Sequence, residues 1–505
     1  MPIVIARHLA LLSLMVLVVV PEVALAQFGP SRAISNAIDM NTNKAMERVQ
    51  LSLAIKNNSG KVVVQKISRD GRYLLLVFED NRPRIWDLEK SRYWDNFEAL
   101  GVDIVAGAMG SGMSFVTVQS DGTIATWNAA SNQPAKIRAI GISDIRDAET
   151  GRTGTLALVD SSGAVYVSDG AIRKIGDAVP LANQDKYQLV VDPSGDFLAA
   201  AQIQGAVQIW DIRSGAKVAS AVIDAPVSAI AFGSEASQLF IATNAGVVDW
   251  DLNRSRAAGQ YKCSGQCMIK DVLLNEASRS LVALSGDGEL ISWPLDRYGA
   301  SPSVQNTAAQ VEKISTSAMA PLVIMGIGDG IVRFSRLEGS EDTLSLASTT
   351  RGWALIDDKG RFDGTMGSDS GVFWENDALS LPIASFLDTH FEPGLFAKWL
   401  GVTDEPFLTD PRAIADGVLA PPSIEVSATQ VSPADADDEV EVVVQVTDQG
   451  GGIGSPSLYH LGLRVSPEKL VDTNKTELGG KESRIYRYRL RALPGENTFT
   501  ARVRD

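Results

Sequence analysis

Histidine and cysteine are nearly missing from this chain: three His and two Cys in 505 residues. A metal centre built from clustered Cys and His is therefore excluded as its organising feature. Cys263 and Cys267 stand as Cys-x-x-x-Cys, which is neither a zinc nor a haem spacing. They read as a small disulfide staple or as two free thiols. Positive charge is also short, with 46 Lys and Arg against 61 Asp and Glu and a net charge of −15. That balance argues against nucleic acid and anionic lipid as partners, both of which call for a basic surface. Two catalytic signatures are absent as well. There is no Gly-x-Ser-x-Gly elbow and no glycine-rich loop ending in Gly-Lys-Ser/Thr.

Long apolar runs are missing too. The run over residues 9–20 falls short of the roughly 20 residues that span a bilayer. Arg7 and His8 precede it, and Ala24-Leu25-Ala26 follows with small residues at the cleavage spacing. This is the pattern of a signal peptide over residues 1–26, with Gln27 as the mature N-terminus and residues 27–59 as an N-terminal segment. It predicts an exported protein, periplasmic or secreted, with no stable membrane span after cleavage. Export is the setting in which a Cys263–Cys267 disulfide persists.

What the sequence does have is a repeat. Trp86, Trp127, Val167, Trp210, Trp250, Trp293 and Phe334 fall at steps of 41, 40, 43, 40, 43 and 41 residues. Each mark closes a similar phrase, such as Ser120-Asp121-Gly122-Thr123-Ile124-Ala125-Thr126-Trp127 or Gly286-Asp287-Gly288-Glu289-Leu290-Ile291-Ser292-Trp293. Asp-Gly supplies the positive φ that a tight hairpin turn needs, and the alternation after it reads as a strand. A second apolar run stands upstream of each turn, for example Tyr73-Leu74-Leu75-Leu76-Val77 and Leu239-Phe240-Ile241-Ala242-Thr243. A weaker outer strand follows. A four-stranded unit at a period near 40 predicts an all-β protein with a seven-bladed β-propeller over residues 60–348. Trp86, Trp127, Trp210, Trp250, Trp293 and Phe334 are then the aromatics that pack blade on blade.

Trp86-Asp87 and Trp210-Asp211 are Trp-Asp dipeptides at strand ends, and with the Asp-Gly turns they make this region similar to the WD-repeat family. The family's Gly-His dipeptide and buried His are not there, because no His lies between His8 and His390.

Residues 349–402 read as short strands and helices packing on the propeller. Trp374 stands 40 residues after Phe334, but the unit around it is too short for an eighth blade. Gly352-Trp353, Gly360-Arg361-Phe362-Asp363-Gly364, Trp374, Phe391, Pro393, Leu395 and Trp399 resemble a segment of bacterial exported proteins that join a WD-repeat propeller to a caspase-like peptidase. That resemblance implies a peptidase domain, which this chain does not contain. Cys263, Cys267 and His390 do not match its Cys-His dyad and inherit no role from it. Residues 403–420 read as a linker. Short runs at residues 424–426, 440–446, 458–465, 485–490 and 497–503 predict an immunoglobulin-like β-sandwich over residues 421–505. It is one strand short, which implies a fragment or a shortened relative.

No constellation points to catalysis. Ser385, Asp388 and His390 crowd one short segment and read as a helix surface, and His460 reads as a surface or edge residue. Asp435, Asp437, Asp438 and Glu439 lack the spacing of a calcium loop. The glycines over residues 450–454 read as a flexible loop. No catalytic, cofactor or metal residue and no cofactor is expected. The function predicted is a non-catalytic scaffold that binds a protein or other macromolecule through the propeller rim, with Tyr93 or Trp94 as candidate hot spots. The alternative, implied by the resemblance, is the regulatory or substrate-recruiting portion of a caspase-like cysteine peptidase.

Overall fold

The computed structural model describes residues 3–5 and, with short interruptions, residues 48–503; the longest interruptions are at 338–341, 366–369 and 431–438. The chain divides into two compact units. One comprises Asn57–Asp357 with Phe396–Glu405, and the other comprises Met1–Lys56, Asp358–Leu395 and Pro406–Asp505.

The first unit is a seven-bladed β-propeller. Each blade is an antiparallel sheet whose first four strands lie in chain order. The innermost strands are Val62–Ile67, Ile104–Met109, Ile145–Thr150, Leu189–Val191, Ala229–Phe232, Ile269–Asn275 and Lys313–Thr316. Each touches the next, and the last touches the first, so the ring is closed. The second strand of a blade lies between two neighbouring sheets and has no wet face. All six residues of Tyr73–Phe78 are buried, which is why these strands read as continuous apolar runs rather than alternations. The outer strand Lys217–Val222 is mostly exposed. Turn chemistry follows the Asp-Gly pairs. Gly122 has φ +80°, and a Cβ there would strike the Ile142 carbonyl, while Asp121 accepts the Thr123 N–H at 2.8 Å.

All seven marks of the repeat lie on third strands. Trp127 stacks on Phe115 at 5.7 Å, and its indole N–H donates to Thr117 Oγ1 at 2.9 Å. Trp293 donates to the Lys262 carbonyl of the preceding blade at 3.0 Å. Trp210 lies against Gly176 of the blade before it. Trp250 is only half-buried. At the seam between the seventh and first blades, Trp86 meets Phe334 at 6.3 Å, Trp353 at 5.4 Å and Phe396 at 5.6 Å. Backbone bonds reinforce the seam: Gly330 N–H donates to the Gly60 carbonyl, and Thr350 N–H to that of Asn57. Arg84, 2% exposed, donates to Asp80 and to Ser59 Oγ beneath it.

Three features differ from the sequence reading. Trp353–Asp357 pairs with Thr343–Ser348 as a further strand of the seventh blade, so the propeller unit runs past residue 348. Tyr93, read as a rim hot spot, is 8% exposed and packs on Trp86 and Trp353. Its ring is needed at the seam. Trp374 lies in Val372–Glu375, between Ser52–Ile55 and Ser380–Pro382 in a three-stranded sheet of the other unit.

That unit also holds the sandwich. One sheet orders Ser423–Gln430, Glu439–Thr447, Lys481–Arg491 and Leu470–Leu478. The other orders Ile3–Ile5, Asn497–Val503, Pro456–His460 and Leu463–Arg464. Val440, Val442, Val444 and Val446 pack with Leu458, Tyr486, Tyr488 and Phe499 in its core. Leu470–Leu478 was not foreseen because every residue in it is exposed, leaving no apolar alternation to read. Of the predicted signal segment only Ile3–Ile5 is described, paired antiparallel with Asn497–Phe499; the rest lies outside the described residues. The acidic turn at Asp435, Asp437 and Asp438 lies outside them as well.

Truncating Trp86 to Ala leaves a void shared by two blades and the helix bearing Phe396. We expect a loss of about 3–5 kcal/mol, measured by denaturant unfolding, whereas Trp250→Ala, at a half-buried mark, should cost clearly less. Equal losses would mean that the seam has no special weight.

Candidate functional site

The inner strands all run the same way, so their starts gather at one mouth of the central channel and their ends at the other. The channel cavity has a volume of about 400 Å³. The second blade lines it with Val105, Ala106, Gly107 and Met109. Lys66 of the first blade reaches across the cavity to the third. Its Nζ lies 2.6 Å from Glu149 Oε1 and 3.1 Å from Asp147 Oδ1. Arg69 follows the same path, donating to the Thr150 carbonyl and lying against Gly195 of the fourth blade, where any side chain would collide with it.

Side chains also tie adjacent blades. Asp147 Oδ2 accepts the Leu189 N–H at 2.9 Å, and Gln188 Oε1 accepts that of Ile230 at 3.0 Å. Between the seventh and first blades, Lys313 Nζ donates to the Val63 carbonyl, and Gln65 Nε2 donates to Ser315 Oγ at 3.2 Å.

The electrostatics split the channel in two. On the first-to-third-blade side, burial works against charge on Lys66, but Asp147 and Glu149 outweigh it and raise the ammonium above its ordinary range. Glu149 is pushed up by burial and by Asp147, with Lys66 opposing, because two carboxylates share one ammonium. On the other side stand Lys186, Asp271 and Lys313. Burial, then Lys186 and Lys66, push Lys313 down to about 8. Burial raises Asp271, with Lys186 the foremost opposing charge. The side chains of Lys186 and Arg146, both exposed, make no hydrogen bond or ion pair among the described residues.

The mouth where the inner strands begin adjoins two grooves, of about 150 and 460 Å³, that share Ala182 and Pro226. Met268, 57% exposed, lines the smaller. Behind it Cys263 and Cys267 form a disulfide with Cα atoms 6.1 Å apart, placed between the outer strand Arg256–Lys262 and the inner strand Ile269–Asn275. Sequence reading missed Lys66, Lys186, Asp271 and Lys313. Three lysines and an acid scattered over four blades carry no local motif, and only ring closure brings them together. Lys186 and Lys313, each just before or at an inner strand, were the available signal.

The other residues singled out from sequence do not assemble a catalytic site. Ser385 is 2% exposed and its Oγ has no hydrogen-bond partner, so it is not bonded to His390. His390 Nδ1 pairs with Thr389 Oγ1 at 2.7 Å, while Asp388 faces solvent. His460 pairs with Asn497 at 2.7 Å and stacks on Phe499. Trp94 is half-buried, with the Arg92 guanidinium over its ring. No group of three His, Cys, Asp or Glu among the described residues is placed to hold a metal ion. No helix among them is long and apolar enough to cross a membrane.

No family model and no curated protein matches this sequence. Among solved structures the chain is similar to the β-propeller domain of Cps50 (Swd1) from Myceliophteria thermophila, at 14% identity and a TM-score of 0.45. The match covers 55% of this chain and 98% of that one. It carries no argument about function; the fold rests on the seven closed sheets described above.

Replacing Lys66 with Met strands Asp147 and Glu149 together. Lys66 is raised in the folded state, so its stabilisation is complete below its ordinary pKa and fades only in strong alkali. The raised Glu149 is penalised once pH climbs above the ordinary carboxylate value. Lys66→Met should therefore cost about 2 kcal/mol at neutral pH, less than a fully buried pair because the Lys66 side chain stays 25% exposed, and the difference should shrink below about pH 4.5. Denaturant midpoints from pH 4 to 9 would show it; a pH-independent gap would contradict the shared-ammonium description.

Proposed function

We propose that this chain is an exported, non-catalytic scaffold that binds a protein partner across the propeller face bearing the inner-strand starts. One observation carries the reading: a cationic channel mouth and an apolar groove with exposed Met268 occur side by side on that face. A protein with net charge −15 has few such places, and an apolar anchor beside a charged rim is the anatomy of a recognition surface. The signal-peptide pattern at residues 1–26 supports export, and mass spectrometry of the cellular protein should find Gln27 at its N-terminus.

A second reading is the regulatory portion of a caspase-like cysteine peptidase. It is favoured by how the residues that carry the resemblance are used. Phe362 packs on Phe391 at 5.8 Å, and Asp363 accepts the Gly394 N–H at 2.8 Å. Phe396 packs on Trp86, and the Arg336 guanidinium lies over Trp399. An in-frame peptidase domain beyond codon 505 of the gene would favour this reading.

The scaffold reading is tested by affinity capture from the envelope fraction of the producing cell. Wild-type protein should retain one partner in stoichiometric amount, and Met268→Asp should reduce its recovery at least tenfold with an unchanged melting temperature. A wild-type protein that emerges monodisperse and alone would overturn the reading.

A further inference from the structure

The two halves of the channel differ in whether their charges are used. Asp147 and Glu149 are occupied by Lys66, and Lys61 is paired with Glu312 at 3.6 Å. Among the described residues the Lys313 ammonium is held by the Val63 carbonyl, while the side chains of Lys186 and Arg146 make no hydrogen bond or ion pair. Among the described residues, Asp147 and Glu312 also face Lys313 but are engaged by Lys66 and Lys61, which leaves Asp271, one of whose oxygens already accepts the Val272 N–H at 3.0 Å. Among the described residues, Lys186, Lys313 and Arg146 thus outnumber the acids left to them, around a cavity of about 400 Å³.

We propose that this mouth is a carboxylate-binding site, in which Lys186 and Lys313 grip an acidic side chain of a peptide segment inserted along the propeller axis. The inference deepens the scaffold reading and rests on it, naming the chemistry of the segment that enters. Two ammonium groups converging on one carboxylate make charge-assisted hydrogen bonds, the stronger kind. Asp271 does not forbid this. Burial works against its charged form, with Lys186 opposing. Lys313 faces Lys66, Lys186, Asp147 and Glu312, with Arg146 and Asp271 on the same wall. An arriving negative charge relieves the repulsion among the lysines. The peptide is favoured over a free small acid because the cavity opens directly onto a face that also carries the Met268 groove.

Fluorescence anisotropy with a labelled glutamate-containing hexapeptide tests the proposal, alongside the same peptide with glutamine in place of glutamate. The glutamate peptide should bind at least tenfold more tightly. Lys186→Gln with Lys313→Met should weaken it at least tenfold and leave the glutamine peptide unaffected. Binding should also weaken from pH 7 to 9.5, as Lys313 loses its proton, and with added salt. If Lys313→Met does not fold by circular dichroism, Lys186→Gln alone, at an exposed position, should still weaken binding severalfold. Equal binding of the two peptides, or indifference to the lysine variants, would overturn the proposal. Glutarate displacing the peptide at equal or lower concentration would overturn the peptide source in favour of a free dicarboxylate. Capture of a partner that survives these failures but is lost with Met268→Asp would leave the scaffold reading standing without a carboxylate site.

Discussion

A blade that is greasy on both faces cannot exist alone. The whole first unit follows from that constraint. Tyr73–Phe78, with all six residues buried, has no orientation that would satisfy water on one side, so its sheet must stand between two others. Repetition postpones the problem, and only closure removes it. The decisive contact is thus the one between blades farthest apart in sequence, where Trp86 meets Phe334, Trp353 and Phe396. Elsewhere a blade finds its neighbour within some forty residues of chain. Here the loop to be closed is far longer, and its entropy must be met by unusually large aromatic area together with backbone bonds from residues 57–60 to the seventh blade.

Much of this was legible in the sequence because the constraint is local and repeated. A Trp at a fixed step, an Asp-Gly turn before it and a continuous apolar run upstream each have one physical meaning. Together they fixed blade count and strand order. What could not be read was whatever depended on closure. Tyr93 looked like a rim residue because its strand is short and its neighbours are charged, yet the seam claims it. Trp353–Asp357 looked like the start of another segment, yet the edge of Thr343–Ser348 offered unpaired backbone groups and took it as a further strand. In the sandwich the apolar strands were visible, and the wholly exposed Leu470–Leu478 was not.

The channel illustrates the same limit at the level of chemistry. Motif reading looks for residues close in sequence, and it found Ser385, Asp388 and His390, which the fold separates into a buried hydroxyl, an exposed acid and a histidine turned to its neighbour Thr389. The charged groups that do converge lie one to a blade. Lys66 and Glu149 are 83 residues apart, and they meet only because the ring sets the first and third blades around one cavity.

Asymmetry is what separates this channel from a merely packed core. A ring of seven similar sheets would line its axis evenly if packing alone were at stake. Instead one side is cross-braced, with Lys66 and Arg69 spanning from the first blade to the third. The opposite side keeps Lys186, Asp271 and Lys313 around the same cavity with no ion pair among them. Crowding two ammonium groups around a single carboxyl costs stability that an apolar pair would not. Bracing the first three blades leaves the mouth between the fourth, sixth and seventh as the place where that cost is held, and a negative group arriving from outside is the simplest thing that would relieve it.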